Sequence, residues 1–222
     1  MCAPTQPRGN APFISPAYTR AMTSAAQWAA QTMDVAQQRL KIAADNLANL
    51  STNGFRRHET EITRFASTLR LTSRTVEAQG AIRPTGGAFD LALAGRGAFT
   101  LREADGALTH GRDGAFSRTG DGHVVDARGR VLMGRCGPLV IGPQATFAAD
   151  GTVRDGERIV DRLAIPAGTT VRQGALEVSG VEATGELLAI LSAQRRFESG
   201  QRIVAADDAM HRKAIDGVAV VH

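Results

Sequence analysis

Cysteine, aromatic residues and lysine are all scarce in this chain. Among its 222 residues there are two cysteines, one tryptophan and one tyrosine. Cys2 and Cys136 lie far apart in the sequence, so a disulfide framework is not indicated. The two cysteines and the five histidines also lack any familiar zinc-ligand spacing, which argues against a structural zinc site. A core must therefore be built mainly from alanine, valine, leucine and isoleucine.

Long hydrophobic runs are also missing. The longest notable run, residues 187–191, is far too short to cross a bilayer, so no direct membrane insertion is expected. The first twenty residues contain four prolines and no apolar segment of the kind found in a secretory signal. We therefore expect residues 1–17 to form a flexible extension. These features favour a cytoplasmic protein, unless it is exported by a route that leaves no cleaved signal.

The positive charge of the chain is dispersed. The net charge is +4, from 26 basic and 22 acidic residues. The densest basic spots are the pairs Arg56-Arg57 and Arg195-Arg196. A nucleic-acid surface needs a clustered basic patch, and single-strand binding also needs aromatic platforms for the bases. The composition therefore predicts no nucleic-acid partner.

A long helix is predicted over residues 17–50. This stretch has no glycine or proline and is rich in alanine and glutamine, which favour helix. Its apolar residues follow steps of four and three over four heptads, the pattern of a seam that packs closely against a partner helix. This first seam consists of Met22, Ala26, Ala29, Met33, Ala36, Leu40, Ala43, Leu47 and Leu50. The breaker Asn53-Gly54 closes the region, so the first domain is assigned to residues 18–55.

The middle of the chain divides into a linker and a β domain. Residues 56–85 are polar and are expected to form an extended linker. Residues 86–168 alternate short apolar segments with turn dipeptides, a pattern typical of β-hairpins. The dipeptides are Gly86-Gly87, Asp105-Gly106, Asp113-Gly114, Asp121-Gly122, Asp150-Gly151 and Asp155-Gly156. The spacing is too short for βαβ units, so we predict a small antiparallel β domain.

A second helical region is predicted over residues 174–217, interrupted by glycines. Its heptad seam consists of Ala183, Leu187, Ile190, Gln194, Phe197, Gln201 and Val204. The spacing leaves two interpretations open: the seam packs against a partner helix, or the helix packs on its own β domain with the glutamines facing water. The predicted fold class is α+β, with long N- and C-terminal helices forming a coiled-coil-like pair and a central antiparallel β domain.

The sequence contains no familiar catalytic signature. It has no G-x-S-x-G, H-E-x-x-H, Walker A or C-x-x-C motif. The Gly95-Arg96-Gly97 segment lacks the third glycine of a dinucleotide loop and is interpreted as a turn. Asp113 is interpreted as a turn-forming residue, because no spacing places a second carboxylate beside it. We therefore predict no catalytic, cofactor-binding or metal-binding residues, and a protein that is not an enzyme.

Several segments resemble the signatures of flagellar axial proteins, the family of the rod and hook subunits. The end of the first helix and its turn resemble the N-terminal signature of that family at Asn46, Leu47, Ala48, Asn49, Gly54 and Phe55. Further segments are similar to later motifs of the family and follow in the same order: residues 89–99, 109–134, 174–181, 194–198 and 206–210. Within the family, the chain length is similar to that of the proximal rod type, with the distal rod type as the alternative.

The resemblance implies a function that composition does not show. It implies a structural subunit of the flagellar basal-body rod that self-assembles through its terminal helices and transmits torque from motor to hook. The alternatives are a distal rod subunit and a non-polymerising, rod-associated adaptor. The implied partners are other rod subunits, further copies of the chain and the flagellar type III export apparatus. That apparatus would deliver the chain to the periplasm-spanning rod without cleavage of a signal peptide.

The chain also departs from the family pattern. Gly180 stands where an asparagine is usual, and residues 161–173 form a shorter return to the last helix than the family has.

Overall fold

The computed structural model describes the backbone of residues 16–65 and 68–219. Side chains are described for residues 25–63, 71–213, 215 and 216. The expected extension over residues 1–17 therefore lies almost entirely outside the described residues, and the side chain of Met22 does too.

In the described part of the chain, two long helices flank a series of fourteen strands. The helices are α1 (Pro16–Ala48) and α2 (Ala183–Ala219). The strands before the middle of the chain are β1 (His58–Phe65), β2 (Thr68–Thr75), β3 (Ile82–Pro84), β4 (Leu91–Ala94), β5 (Phe99–Arg102), β6 (Leu108–Gly111) and β7 (Ser117–Arg118). The later strands are β8 (Val124–Val125), β9 (Val131–Leu132), β10 (Ala145–Phe147), β11 (Thr152–Asp155), β12 (Arg158–Arg162), β13 (Thr170–Gln173) and β14 (Ala175–Glu177). The predicted α+β class is confirmed.

The chain forms two compact units, each built from separate segments. The helical unit comprises Met1–Ile42, Thr60–Thr72 and Leu188–His222, and its described part holds most of α1 and α2 with the larger parts of β1 and β2. The β unit comprises Ala43–Glu59 and Ser73–Leu187, so it contains the end of α1, the start of α2 and strands β3 to β14.

The two helices of the helical unit pack closely where their residues are small. A Cβ atom added at Gly200 of α2 would lie 2.4 Å from Cγ of Met33 and 3.4 Å from the carbonyl oxygen of Ala29. Further along α1, burial and the charge of Arg196 on α2 lower the pKa of Arg39. Residues nearer the end of α1 therefore lie beside residues nearer the start of α2. The two helices therefore run antiparallel.

The sheets of the β unit tie the end of the unit back to its beginning. The largest sheet has the order β6-β5-β9-β8-β7, and a second has the order β10-β11-β12. Two further antiparallel pairs are non-local: β13 pairs with β4, where Val171 lies opposite Leu93, and β14 pairs with β3, where Leu176 lies opposite Arg83. The antiparallel arrangement predicted for the middle of the chain is confirmed. The non-local pairs mean that residues 82–94 cannot complete their sheets until residues 170–177 arrive.

One hydrophobic core lies inside the β unit. It is formed by Leu91, Leu93, Phe99, Leu101, Phe116, Val124, Leu132, Leu139, Ile141, Ala145, Phe147, Val153, Leu163 and Val171. The rings of Phe99 and Phe116 meet edge to face, with centroids 5.2 Å apart. As the composition requires, aliphatic side chains supply most of this core.

The start of the second helix differs from the sequence prediction. We expected helix over residues 174–217, but residues 175–177 form β14 and α2 begins only at Ala183. The intervening backbone is already bonded elsewhere: the N–H of Val178 donates to the carbonyl of Ala81, and the N–H of Gly180 donates to the carbonyl of Phe55. Backbone groups held in these long-range bonds within the chain cannot also bond within a helix. The helix then runs unbroken through its glycines.

The expected linker over residues 56–85 also has regular structure. Strands β1 and β2 pair with each other, and a bond from the N–H of Val76 to the carbonyl of Arg57 closes the base of the pair. Threonine recurs along both strands, and its β-branched side chain favours strand. The prediction of a linker used only the polar composition of the segment and overlooked the preference of threonine for strands.

The segment Asp113-Gly114 forms a local turn but not a hairpin. The Oδ1 of Asp113 accepts the N–H of Ala115 at 3.1 Å, which is the turn-forming role predicted for Asp113. The flanking strands β6 and β7 are not neighbours in their sheet, and the carbonyl of Gly114 accepts a hydrogen bond from the N–H of Leu91. A Cβ atom at Gly114 would lie only 1.6 Å from the carbonyl oxygen of Leu91. Glycine is needed here because two backbones touch.

Replacing Gly200 by alanine should weaken the α1–α2 packing. In an exposed helix this change is favourable by about 1 kcal/mol, but here the new methyl group overlaps Met33, and overpacking costs about 1–3 kcal/mol. We expect Gly200→Ala to lower the thermal unfolding midpoint of the full chain, measured by far-UV circular dichroism.

The matched control is Gly185→Ala on the same helix, where an added Cβ would come no closer than 3.9 Å to Glu182. This variant should keep or raise the midpoint. Equal stabilisation by both variants would contradict the close packing at Gly200.

Candidate assembly surfaces

The end of α1 is fastened to β1 by the side chain of Asn46. Its Nδ2 donates to the carbonyl of His58 at 2.8 Å, and its Oδ1 accepts from the N–H of the same residue at 2.9 Å. Asn46 is fully buried, so these two bonds satisfy a polar group that has left water. The family signature asparagine therefore sets where the chain enters β1.

The turn after α1 is closed by local hydrogen bonds. Asn49 donates from Nδ2 to the carbonyl of Asp45 at 2.9 Å, and its Oδ1 accepts from the hydroxyl of Thr52. The N–H of Phe55 then donates to the carbonyl of Thr52. We call residues 49–55 the signature turn. Of the other signature residues, Leu47 is half-buried and Ala48 is exposed, and neither side chain can form a hydrogen bond.

Gly54 is the point where the signature turn meets the β unit. Its φ is +65°, and its N–H donates to the carbonyl of Glu177 at 2.8 Å. A Cβ atom at this position would lie 2.4 Å from the carbonyl oxygen of Arg112. A side chain is therefore excluded twice, by backbone conformation and by contact.

Behind the signature turn lies a buried ion pair between Arg112 and Glu177. Arg112 NH1 and Glu177 Oε2 are 2.6 Å apart, and the two side chains are 5% and 2% exposed. Arg112 makes two further hydrogen bonds: Nε donates to the carbonyl of Gly97 at 2.6 Å, and NH2 donates to that of Gly95. The second oxygen of Glu177 accepts from the N–H of Gly80 at 3.0 Å.

This ion pair joins segments that are distant in sequence. Arg112 belongs to the segment 109–134, Glu177 to 174–181, and the carbonyls of Gly95 and Gly97 to 89–99. The signature turn rests on both partners through Gly54. Four of the resembling segments therefore meet at one charged contact. Sequence reasoning missed this role, because the segments meet only in the folded chain.

A cleft opens beside the signature turn, entirely within the β unit. Its volume is about 540 Å³. It is lined by Gly54, Phe55, Arg56, His58, Thr75, Glu77, Arg96, Gly97, Ala98, His110, Gly111 and Arg112. We call it the basic cleft, because two arginines and two histidines face a single carboxylate once the guanidinium of Arg112 is assigned to Glu177. Burial and the nearby charge of Arg112 lower the pKa of Arg56, while Glu177 and Glu77 oppose the shift.

The predicted first seam lies on the face of α1 that this chain itself buries. Ala29, Ala36 and Ala43 are buried. Four other members of the seam are half-buried: Ala26, Met33, Leu40 and Leu47. Leu50 is exposed, because α1 ends at Ala48 and Leu50 already lies in the turn.

The less exposed residues of α2 agree with four members of the predicted second seam and lie one residue before the other three. The half-buried members are Ala183, Ile190, Phe197 and Val204. Leu187, Gln194 and Gln201 are exposed, and the residue before each of them is buried: Glu186, Ala193 and Gly200. The sequence prediction selected Leu187 and not Glu186 because it was based on apolar residues. Close helix packing instead selects small residues such as Ala193 and Gly200.

The exposed side of α2 carries large apolar residues. In the helical unit, Leu188 is 67% exposed and Leu191 and Ile203 are also exposed. Large apolar side chains grouped on one exposed helix face mark interaction surfaces more often than isolated ones do.

Neither metal ligation nor membrane insertion finds support in the described residues. Over residues 16–65 and 68–219, no three histidine, cysteine or carboxylate side chains are grouped so as to hold a metal ion. None of the helices within these ranges is long and apolar enough to cross a membrane.

Comparison with known families gives matches to three segments of the chain. Residues 24–56 match the flagella basal body rod protein family, and residues 92–187 match the flagellar hook protein FlgE/F/G D1 domain. Residues 172–216 match the flagellar basal body rod FlgEFG protein C-terminal family. The matches follow the order expected from the resemblance.

Individual relatives agree with these families. The chain is 26% identical to the flagellar basal-body rod protein FlgG of Agrobacterium fabrum, over 82% of this chain and 94% of the relative. It is 28% identical to the rod protein FlgF of Caulobacter vibrioides, over 81% and 91%. It is also 32% identical to the flagellar hook protein FlgE of Brucella abortus, over 46% and 28%.

The fold and these matches together define an axial protein of the bacterial flagellum. Within that class, the chain belongs to the flagellar basal-body rod protein family, of the FlgF/FlgG type.

Replacing Gly54 by alanine should displace the signature turn from the β unit. The variant suffers both the positive φ and the overlap with the carbonyl of Arg112, so we expect a loss of more than about 2 kcal/mol in the free energy of unfolding. Urea titration of the full chain measures it.

Gly86→Ala is the matched control, because Gly86 also has a positive φ of +74° but an added Cβ there would meet nothing within 4 Å. It should cost about 1 kcal/mol, from backbone strain alone. Equal losses in the two variants would show that the contact with Arg112 contributes nothing.

Proposed function

We propose that this protein is a structural subunit of the flagellar basal-body rod and that it self-assembles through its terminal helices. The observation that carries the proposal is the exposed apolar face of α2 around Leu188 and Leu191, on a helix whose opposite face is already buried against α1. A soluble single chain gains nothing from exposed leucines on a long helix, whereas a subunit covers them with its neighbours.

The finer details of assembly follow from the two helix stripes. On α1 the buried alanines recur every seven residues, and on α2 the buried Ala193 and Gly200 do the same. We infer that the buried stripes of α1 and α2 form a coiled-coil-like pair within one subunit. We also infer that the ends of the two predicted seams and the exposed leucines of α2 pack against neighbouring subunits. Tight packing between helices would carry torque without slippage.

The remaining elements of the function come from the family. We propose export by the flagellar type III apparatus without signal cleavage, a place in the periplasm-spanning rod, and no catalytic activity. Relatives named FlgG and FlgF match over similar shares of the chain, so a proximal and a distal rod position are both compatible with the sequence. A rod-associated adaptor that does not polymerise is the competing function.

Deleting the gene and restoring it with variants tests this function. Cells without the gene should have absent or truncated rods in electron micrographs of purified basal bodies, and should not swim. The wild-type gene should restore both. A Leu188→Asp, Leu191→Asp double variant should not restore them, although its exposed substitutions leave the fold intact by circular dichroism.

Ile159→Asp is the matched control, because Ile159 is exposed to a similar extent but lies on β12 of the β unit. It should restore rods and swimming. Complete rods in the deletion strain would refute the structural role and favour the adaptor. Full rescue by the double leucine variant would refute assembly through α2.

A further inference from the structure

The β5–β6 hairpin connects two surfaces of opposite charge. Its strands pair from Phe99 opposite Gly111 at one end to Arg102 opposite Leu108 at the other. The basic cleft adjoins the first end, since Ala98 and Gly111 line it. An acidic turn, residues 103–107, closes the second end. Four strand residues span about 10 Å, so the two surfaces face opposite ways along a short rigid element.

Among the described residues, none forms an ion pair with Arg56 or Arg96 of the basic cleft. The guanidinium of Arg96 has no hydrogen-bond acceptor among the residues that the structure describes, and Arg56 donates from NH1 to the carbonyl oxygen of Glu77 at 2.7 Å. His58 and His110 lie in the same wall, each facing a threonine hydroxyl. Glu77 is the one carboxylate that lines the cleft. Such a cleft fits a carboxylate-bearing segment.

The acidic turn has the matching chemistry. Asp105 is exposed; its Oδ1 accepts the N–H of Ala107 at 2.9 Å, and its Oδ2 has no hydrogen-bond partner among the described residues. The turn is also held by bonds between Glu103 and Ala107 and between Gly106 and Glu103. Glu103 lies 3.7 Å from Arg130 and is partly neutralised by it. Leu108, which follows the turn, is 60% exposed. The turn thus presents a carboxylate beside an apolar side chain.

We propose that the acidic turn of one copy enters the basic cleft of the next copy, in a head-to-tail contact. Asp105 would meet Arg96 and Arg56, and Leu108 would pack on Phe55 and Ala98 in the cleft wall. Two different surfaces on one subunit form a heterologous contact, and such contacts repeat into open filaments. The proposal rests on the proposed rod function and adds to it a contact outside the terminal helices.

Reversing the charges on both sides tests the contact. Arg96→Glu alone and Asp105→Arg alone should each reduce the number of complete rods about tenfold or more, since both place like charges in contact. The combined variant restores opposite charges and should recover rods and swimming. Arg96→Glu changes an exposed side chain and should keep the wild-type melting midpoint, whereas Asp105→Arg should lower the midpoint only slightly, through loss of the bond from the N–H of Ala107. Arg158→Glu, an exposed arginine on β12, is the control and should have no effect.

A cysteine pair gives a second measurement. In a Cys2→Ser, Cys136→Ser background, Arg96→Cys with Asp105→Cys should form disulfide-linked multimers of the full chain in flagellated cells, whereas Arg158→Cys with Asp105→Cys should not. Normal rods in both single charge variants would overturn the contact. Failure of the combined variant to restore rods, or absence of multimers in swimming cells, would also overturn it. Each of these results leaves the rod function standing, whereas complete rods in the deletion strain would refute that function itself.

Discussion

The β unit depends on the ion pair between Arg112 and Glu177. The pair is nearly inaccessible to water, and its members lie 65 residues apart. A buried pair of this kind adds little over an apolar contact of the same shape, but the loss of either partner leaves a charge without compensation. Its value therefore lies in what it organises. The guanidinium holds the loop at Gly95 and Gly97, while the carboxylate holds the backbone at Gly80.

The signature turn depends on the same pair through backbone contacts. Gly54 lies against the carbonyl of Arg112 and donates its N–H to the carbonyl of Glu177. Phe55 in turn accepts the N–H of Gly180, just before α2 begins. The end of α1 and the approach to α2 are thus fixed to one point of the β unit.

The sequence predicted those features that depend on local physics. The seam of α1 matches its buried face because alanine at heptad spacing permits close helix packing, and Asp-Gly dipeptides such as Asp105-Gly106 have the positive φ of a turn. Features that depend on distant partners were missed. Residues 175–177 form a strand only because β3 is available to pair with them. Glycine at position 114 is needed because Leu91 approaches it, and no neighbouring residue signals that contact.

The candidate surfaces divide in the same way. The apolar pattern of α2 correctly placed Ile190, Phe197 and Val204 near the buried side, but it selected Leu187 where the fold buries Glu186. Glu186 lies 3.6 Å from Arg57, and a sequence pattern based on apolarity cannot assign a burial that an ion pair makes possible. The roles of Arg112 and of the basic cleft likewise follow from loops that meet only in the folded chain.

The most direct test of this account is a double-mutant cycle on Arg112 and Glu177, measured as the free energy of unfolding of the full chain in urea. Arg112→Met and Glu177→Leu should each cost about 3–5 kcal/mol, and the double variant should cost clearly less than their sum, because neither charge is then left unpaired. The exposed pair of Arg74 and Glu59 is the control, with a loss within about 1 kcal/mol. Small and additive losses at Arg112 and Glu177 would contradict the central role of this ion pair.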